Sequence, residues 1–325
     1  MCGRYASTAR RADLLEQFQL DGDNADELKD PDYNVAPTKT APVVIARAPS
    51  DGPRDADAVR QLRLFKWGLV PFWAKDSKIG NRMVNARSET VDEKPAYKAA
   101  FKSRRCLIPV DAFYEWFETD KISEKTKKPL KQPFAFRPTD GSSLALAGLY
   151  EVWKDKSLAE DDPAALLWSY TILTTTATDE IGRIHDRIPM AIAPDDWEQW
   201  LDPTVKDPAD VKALMGPPTG LEIYAVSTAV NDVRRNNGPY PLDPLQRGSG
   251  YRRYHRAALE ALADRGAAIS IGEAAGIIGR SRTAVRDLIA AGELRSSSNA
   301  TFPVFRRDVE RYAESHPQPE IVPGN

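Results

Sequence analysis

Arg104-Arg105-Cys106-Leu107-Ile108-Pro109-Val110-Asp111-Ala112-Phe113-Tyr114-Glu115-Trp116-Phe117 is the strongest strand signal in the chain. Aliphatic and aromatic side chains dominate it, and they suit a pleated, half-buried surface. A period of two puts Phe113, Glu115 and Phe117 on one face, Tyr114 and Trp116 on the other. Glu115 thus has aromatic neighbours, a setting that tends to raise a carboxyl pKa and suits proton shuttling. Working outward, residues 42–47, 62–69, 133–137, 145–153, 169–174 and 222–226 also read as strands. Residues 8–21 carry Leu14, Leu15 and Phe18 at helical spacing, and residues 197–201 read as a short helix. Pro37 breaks any regular element around residues 33–38, which read as a shaped loop. Residues 48–60 read as a polar surface loop, and residues 118–132 as a solvated, charged hairpin tip. There is no βαβ rhythm, so the expected class is α+β with a mixed, mostly antiparallel sheet.

The 325 residues suffice for a large domain plus a small one. A formal net charge of -2 excludes a globally basic nucleic-acid binder but leaves room for a local basic groove. The two cysteines, Cys2 and Cys106, form no CxxC pair, so no disulfide framework, zinc knuckle or other metal site is expected, and a reducing cytoplasm is. No secretory leader or apolar span is read, so no membrane partner is expected. No P-loop, GxSxG, HExxH or dinucleotide fingerprint occurs, and no cofactor is expected.

Residues 231–250 are rich in Asn, Gly and Pro and read as a linker. Beyond them residues 251–264 suggest a helix. Ser270 with Glu273 forms a capping box that starts another, and Gly279 can end it. Ser281 starts the next helix, with Val285, Leu288 and Ile289 inward, ending at Ala291-Gly292. Residues 294–305 suggest a short hairpin, and Asp308 a cap for a last helix. Two short helices, a tight turn and a wing make a winged helix-turn-helix, similar to the small modules of the excisionase and MerR type. Arg280, Arg282 and Arg286 then lie where duplex DNA is met, with protein docking as the alternative use. The expected division is 1–240 for the large domain, 241–265 for linker and helix, 266–314 for the helix-turn-helix and 315–325 for a tail.

The chemistry concentrates in four places: Cys2-Gly3-Arg4, Asn85 to Thr90, Glu115, and His185-Asp186-Arg187. Removal of Met1 would leave Cys2 as a 1,2-aminothiol. Its amine condenses with an aldehyde to a Schiff base, and its thiol then closes a five-membered thiazolidine with the effective molarity of a held pair. The free amine has a pKa of about 7.7–8.0, so part of it is nucleophilic at neutral pH.

Residues 1 to about 240 resemble the SOS-response-associated peptidase (SRAP) family, the abasic-site processing proteins. The resemblance rests on Met1-Cys2-Gly3-Arg4-Tyr5, Tyr33-Asn34-Val35-Ala36-Pro37, Trp67-Gly68-Leu69-Val70-Pro71, Asn85-Ala86-Arg87-Ser88-Glu89-Thr90, Arg105-Cys106-Leu107-Ile108-Pro109 running into Phe113-Tyr114-Glu115-Trp116, and Ile184-His185-Asp186-Arg187-Ile188-Pro189-Met190. It implies self-removal of Met1 and a Cys2 crosslink to abasic sites in single-stranded DNA, with β-elimination as a side activity. It makes Cys2, Asn85, Glu115 and His185 the catalytic residues. It assigns DNA contacts to Gly3, Arg4, Asn34, Pro37, Trp73, Arg87, Thr174 and Arg187, the arginines suiting phosphates and Trp73 base stacking. The chain is expected to be a nucleoid-associated monomer. Two other readings stay open: an N-terminal-nucleophile amidohydrolase, in which the amine of Cys2 serves its own thiol as base, and a DNA-binding regulator that works through its tail.

Overall fold

The computed structural model describes residues 2–20, 22, 25–28, 30–48, 58–177, 182, 184–234, 238–239, 242–243, 268–269, 271–278, 280–291, 293–294 and 304–316. The chain divides into two compact units. One is Met1–Glu115 with Pro133–Thr175 and Ile188–Leu245, the other Trp116–Gln132 with Thr176–Arg187 and Gln246–Asn325. The class is α+β, strand-rich, with mixed and mostly antiparallel sheets.

In the first unit a ring of strands closes on itself. β1 (Tyr5–Ser7), α1 (Arg11–Gln17) and β2 (Asp32–Val35) come first, then β3 (Thr40–Arg47), β4 (Val59–Trp67) and β5 (Asn85–Arg87). Next follow α2 (Lys98–Ser103), β6 (Arg105–Val110), β7 (Ala112–Ile122), β8 (Pro129–Pro138), β9 (Leu144–Lys154) and β10 (Leu166–Thr176). β4 pairs with β3, β3 with β6, β6 with β9 and β9 with β10, all antiparallel. β10 returns parallel to β4 and completes a small barrel, which removes the exposed edges an open sheet would carry. One face of these strands, with Val44, Leu62, Leu107, Ala147 and Leu149, packs under Leu14 of α1, Phe18 just after it and Phe101 of α2. Trp197 and Trp200 of α3 (Trp197–Leu201) complete this layer, Phe18 stacking on Trp197 at 4.5 Å. The other face carries Gly148, where an added Cβ would lie 2.2 Å from Ile108 Cδ1 and 3.0 Å from the Thr171 carbonyl oxygen. Only glycine fits so close an approach.

Arg105 ties two helices to this barrel. It is 2% exposed, and its guanidinium donates to the carbonyls of Phe101 and Lys102 at the end of α2, and to those of Trp200 and Asp202 at the end of α3. A cation at two helix C-termini satisfies carbonyls that the helices leave unpaired and complements both dipoles. Burial pulls this guanidinium down to about 10, with Asp202 opposing the shift.

A second sheet has the order β11 (Leu221–Ala225), β8, β7, β1, β2. The segment expected as one long strand is therefore two, one in each sheet. Asp111 makes the corner: its carboxylate accepts from the Thr8 hydroxyl at 2.8 Å, the Ala9 amide at 3.0 Å and the Ser143 hydroxyl at 2.5 Å. β1, β2, β5 and α2 were absent from the sequence reading, and residues 33–35, read as loop, are strand. The strand expected to run to residue 69 ends at Trp67.

The second unit holds the outer part of the β7–β8 hairpin. Its strands run to Ile122 and start again at Pro129, so most of the expected loop 118–132 is strand. Only residues 123–128 form the tip, closed by the Ser123 amide donating to the Lys128 carbonyl at 2.8 Å. The same unit carries α4 (Ile271–Ile278), α5 (Arg282–Ala290) and α6 (Arg306–Ser315). They share a core of Ala274, Ile278, Val285, Leu288, Leu294, Val309 and Tyr312. The Ser281 hydroxyl caps α5 by accepting the Ala284 amide at 3.2 Å. Val304–Phe305 pairs with Ala268–Ile269 rather than with a strand near Leu294. α6 starts at Arg306, which places Asp308 in its first turn instead of at its cap. The expected helix at 251–264, Ser270, the Glu273 side chain and Gly279 lie outside the described residues. Among the described residues no helix is long and apolar enough to cross a membrane.

Candidate active site

β1 lies between β7 and β2, and this fixes where the first residues go. Tyr5 stands opposite Phe113 on one side and Val35 on the other. The Tyr114 amide donates to the Arg4 carbonyl at 3.0 Å, so the register continues and sets Gly3 opposite Glu115. Cys2 is fully buried at the head of this strand, its thiol 3.9 Å from the Arg4 carbonyl oxygen. Glu115 is 2% exposed.

The barrel brings the third group. β5 runs parallel to β10, with Asn85 opposite Ile172 and Arg87 opposite Thr174. The Asn85 side-chain amide donates to the Cys2 carbonyl at 2.7 Å. Its Oδ1 is buried and accepts no hydrogen bond among the described residues. Cys2, Asn85 and Glu115, taken from three separate stretches of sequence, thus converge between two sheets. Burial pushes the Cys2 thiol far above the usual thiol range, and the nearby Glu115 carboxylate adds to the rise, so the sulfur is protonated at neutral pH. While Met1 is attached, the Cys2 nitrogen is an amide and not yet a nucleophile.

Arg4 is anchored within the first unit. Its Nη1 donates to Asn34 Oδ1 at 2.9 Å and to the Val230 carbonyl at 2.8 Å, and Asn34 Nδ2 donates to that same carbonyl at 2.9 Å. Burial lowers the Arg4 pKa. Pro37 opens a turn, Ala36–Lys39, closed by the Lys39 amide on the Ala36 carbonyl at 3.1 Å. Thr38 sits there at φ 75°, the left-handed region that a type II turn normally gives to glycine. Trp73 is 50% exposed and its neighbour Phe72 61%, while Arg87 is exposed and Thr174 buried. Gly68 and Gly80 hold the backbone on either side of the two aromatics, a Cβ on either lying 2.5 Å from the carbonyl oxygen of the other.

His185 and Arg187 belong to the second unit. The imidazole Nδ1 is 3.0 Å from the Arg187 amide, from which it accepts, and 3.0 Å from Asp186 Oδ1, to which it donates when protonated. In the tail Arg280, Arg282 and Arg286 are exposed, with the Arg280 guanidinium 5.9 Å from the centre of the Tyr312 ring. Among the described residues no group of three or more His, Cys, Asp or Glu could hold a metal ion. Two features went unread in the sequence: the exposed Phe72 and the Val230 carbonyl that fixes Arg4 and Asn34. Consecutive aromatics in Pro71-Phe72-Trp73 were the available signal for the first, since two neighbours cannot both face a core across one strand. A carbonyl carries no sequence signal.

Known proteins repeat this arrangement of chain. The abasic site processing protein YoqW of Bacillus subtilis is 36% identical over 239 residues, which are 73% of this chain and 97% of that protein. The abasic site processing protein HMCES of Xenopus tropicalis is 32% identical over 266 residues, covering 73% of this chain and 76% of that one. A crystal structure of a protein from Bacteroides thetaiotaomicron superposes with a TM-score of 0.60 at 21% identity, over 75% of this chain and all of that one, a likeness of fold. The family model for the SOS response associated peptidase (SRAP) matches residues 1–233, and the chain belongs to that family.

Proposed function

We propose that this protein processes abasic sites in single-stranded DNA during the response to DNA damage, with Cys2 as the crosslinking residue. The observation that carries the reading is the convergence of Asn85 and Glu115 on Cys2, with Asn85 bonded to its carbonyl. Relatives named abasic site processing proteins support it.

The chemistry begins with hydrolysis of the Met1–Cys2 bond, which consumes one water and frees the α-amine. The amine adds to the C1 aldehyde of an open abasic sugar and loses one water to form a Schiff base. The thiol then adds to the imine carbon, its proton passing to the nitrogen, and a thiazolidine results. Glu115 is the group suited to relay these protons, since it is buried on the strand beside the Cys2 segment and its charge acts on the sulfur. Asn85 holds the Cys2 carbonyl by its amide and offers the open Oδ1 to the new amine or to a sugar hydroxyl. His185 is assigned proton transfer to the sugar oxygen and crosslink reversal. Arg4, Arg87 and Arg187 are assigned to phosphates, and Trp73 to a base. Gly3, Asn34, Pro37 and Thr174 are assigned further DNA contacts. A Schiff base at the abasic carbon acidifies the adjacent position, so strand cleavage by β-elimination is a side reaction. We place this activity in residues 1–240, in a cytoplasmic, nucleoid-associated monomer.

Residues 266–314 are read as a winged helix-turn-helix that adds duplex affinity through Arg280, Arg282 and Arg286. Arg282 and Arg286 stand one turn apart on α5, both exposed, as a phosphate- or base-reading face requires.

Intact-protein mass spectrometry tests the main reading. The chain is incubated with single-stranded DNA carrying one abasic site. The expected product has lost Met1 and weighs protein plus DNA minus one water. An equal adduct from a Cys2→Ala chain would remove Cys2 from the reaction. Loss of Met1 with no adduct would favour the amidohydrolase alternative. For the tail, equal duplex affinity in the full chain with and without Arg282→Ala and Arg286→Ala would remove those contacts.

A further inference from the structure

Tyr5 and Tyr170 are both fully buried, and their hydroxyls hydrogen-bond each other. The bond crosses between two sheets, from β1, which Cys2 precedes by three residues, to β10 in the barrel. A phenol has one hydrogen to donate, and a mutual pair uses only one of two. The remaining hydrogen has no acceptor among the described residues. Leaving a buried donor unmet is costly, and two phenylalanines would fill the same space without that cost. The pair is therefore not explained by packing.

Its position suggests what it does. Trp67 lies against both rings, 5.1 Å from Tyr5 and 6.3 Å from Tyr170 between ring centres. The Trp67 indole donates to the Val84 carbonyl at 2.8 Å, and Val84 immediately precedes Asn85. The Val84 carbonyl also accepts the Ile172 amide at 3.2 Å, two residues on from Tyr170. The Tyr170 carbonyl accepts the Gly68 amide at 2.8 Å, which locks the end of β4 to the same frame. One path thus runs from the strand of Cys2, through Tyr5, Tyr170 and Trp67, to the strand of Asn85. Among the described residues a further hydrogen bond joining these two strands' surroundings is that of the Asn85 amide to the Cys2 carbonyl.

We propose that the Tyr5–Tyr170 hydroxyl pair is a positioning device that sets Cys2 against Asn85, so that amine and thiol meet the aldehyde in the geometry ring closure needs. This rests on the abasic-site reading above. Among the described residues neither hydroxyl is hydrogen-bonded to the Cys2 thiol, which faces the Arg4 carbonyl. Their effect is on the orientation of Cys2, where small displacements are expensive in rate.

The test uses the full chain with Tyr5→Phe, Tyr170→Phe and the double substitution. Three quantities are measured: melting temperature, affinity for single-stranded DNA carrying a non-reactive tetrahydrofuran site, and the saturated rate of adduct formation on a true abasic site. Each single variant keeps a lone buried hydroxyl and should melt lower. The double variant has none and should recover its melting temperature. All three should form adduct about threefold to tenfold more slowly, at unchanged affinity for the tetrahydrofuran strand. A purely structural pair would return rate and melting temperature together. A double variant with wild-type rate overturns this proposal alone. A wild-type chain that forms no adduct overturns the abasic-site reading, and this proposal with it.

Discussion

Replacing Asn85 by alanine isolates the contact that joins the two halves of the proposed site. In the native chain the Asn85 amide donates to the Cys2 carbonyl at 2.7 Å, and Cys2 is wholly buried. Alanine leaves that carbonyl without its donor, a loss of about 1–3 kcal/mol. If the contact holds Cys2 in its reacting position, the same energy is missing from the transition state. At 1.4 kcal/mol per factor of ten, the saturated rate of adduct formation falls about 5- to 150-fold. Asn85→Asp keeps the shape but sets an acceptor oxygen against an acceptor oxygen, so it should be slower than the alanine variant. The assay is single-turnover: excess protein, a labelled abasic strand, and denaturing gels over time, with circular dichroism to establish that each variant is folded. An alanine variant within twofold of the native rate, or an aspartate variant faster than alanine, would refute the reasoning.

Other consequences can be checked by simpler means. Arg105→Met removes the donor of four carbonyls, two of them in fully buried bonds, and should cost about 2–6 kcal/mol in urea unfolding; a loss below about 1 kcal/mol would sink the account of the two helix ends. Thr38→Gly relieves a left-handed backbone at a cost of about 1–2 kcal/mol to threonine, against about 0.5–1 kcal/mol of glycine entropy, for a net gain near 0.5–1 kcal/mol in the same assay. Cys2 and Cys106 are both buried, with thiols pushed far above the usual range, so a disulfide reagent at pH 8 should modify neither in the native Met1-bearing chain and both after unfolding. A fast native equivalent would contradict the buried site. The folded chain holds these two protons to higher pH than the unfolded one does. Their contribution to stability is therefore complete below an unfolded thiol pKa of about 8.5 and declines as pH rises above it.

The sequence disclosed long elements and missed short ones for a common reason. β3, β9 and β10 are eight to eleven residues each, long enough for composition and alternation to speak. β1 and β5 have three residues each, too few for any period, and they are strands because β7 and β10 are there to pair with them. The corner at Asp111 looked like the middle of a strand because its cause is remote: Thr8, Ala9 and Ser143 supply the hydrogen bonds that bend the chain. Ser169, Thr171 and Thr174 are polar yet buried, so β10 could not be seen as a fully enclosed strand. For the site the reverse held. Cys2, Asn85 and Glu115 each stood out as motif residues, but a bond between positions 2 and 85 is made by the closing of two sheets, which no local pattern records. Tyr5 stands out only as the end of the first motif and Tyr170 only as a strand residue, because two hydroxyls that meet across 165 positions leave no trace in either neighbourhood.

The interior place of β1 in its sheet also sets a clock. Its partner β7 begins at Ala112, so the ribosome adds more than a hundred residues between making Tyr5 and making Phe113. At about 5–20 residues per second that interval lasts roughly 5–20 seconds. Throughout it Cys2 cannot be enclosed, because the strand that encloses it does not yet exist. Any aminopeptidase that works on nascent chains has this window to reach Met1, and any aldehyde in the cell has it to reach the thiol. Once Glu115 emerges and the sheet closes, that window shuts.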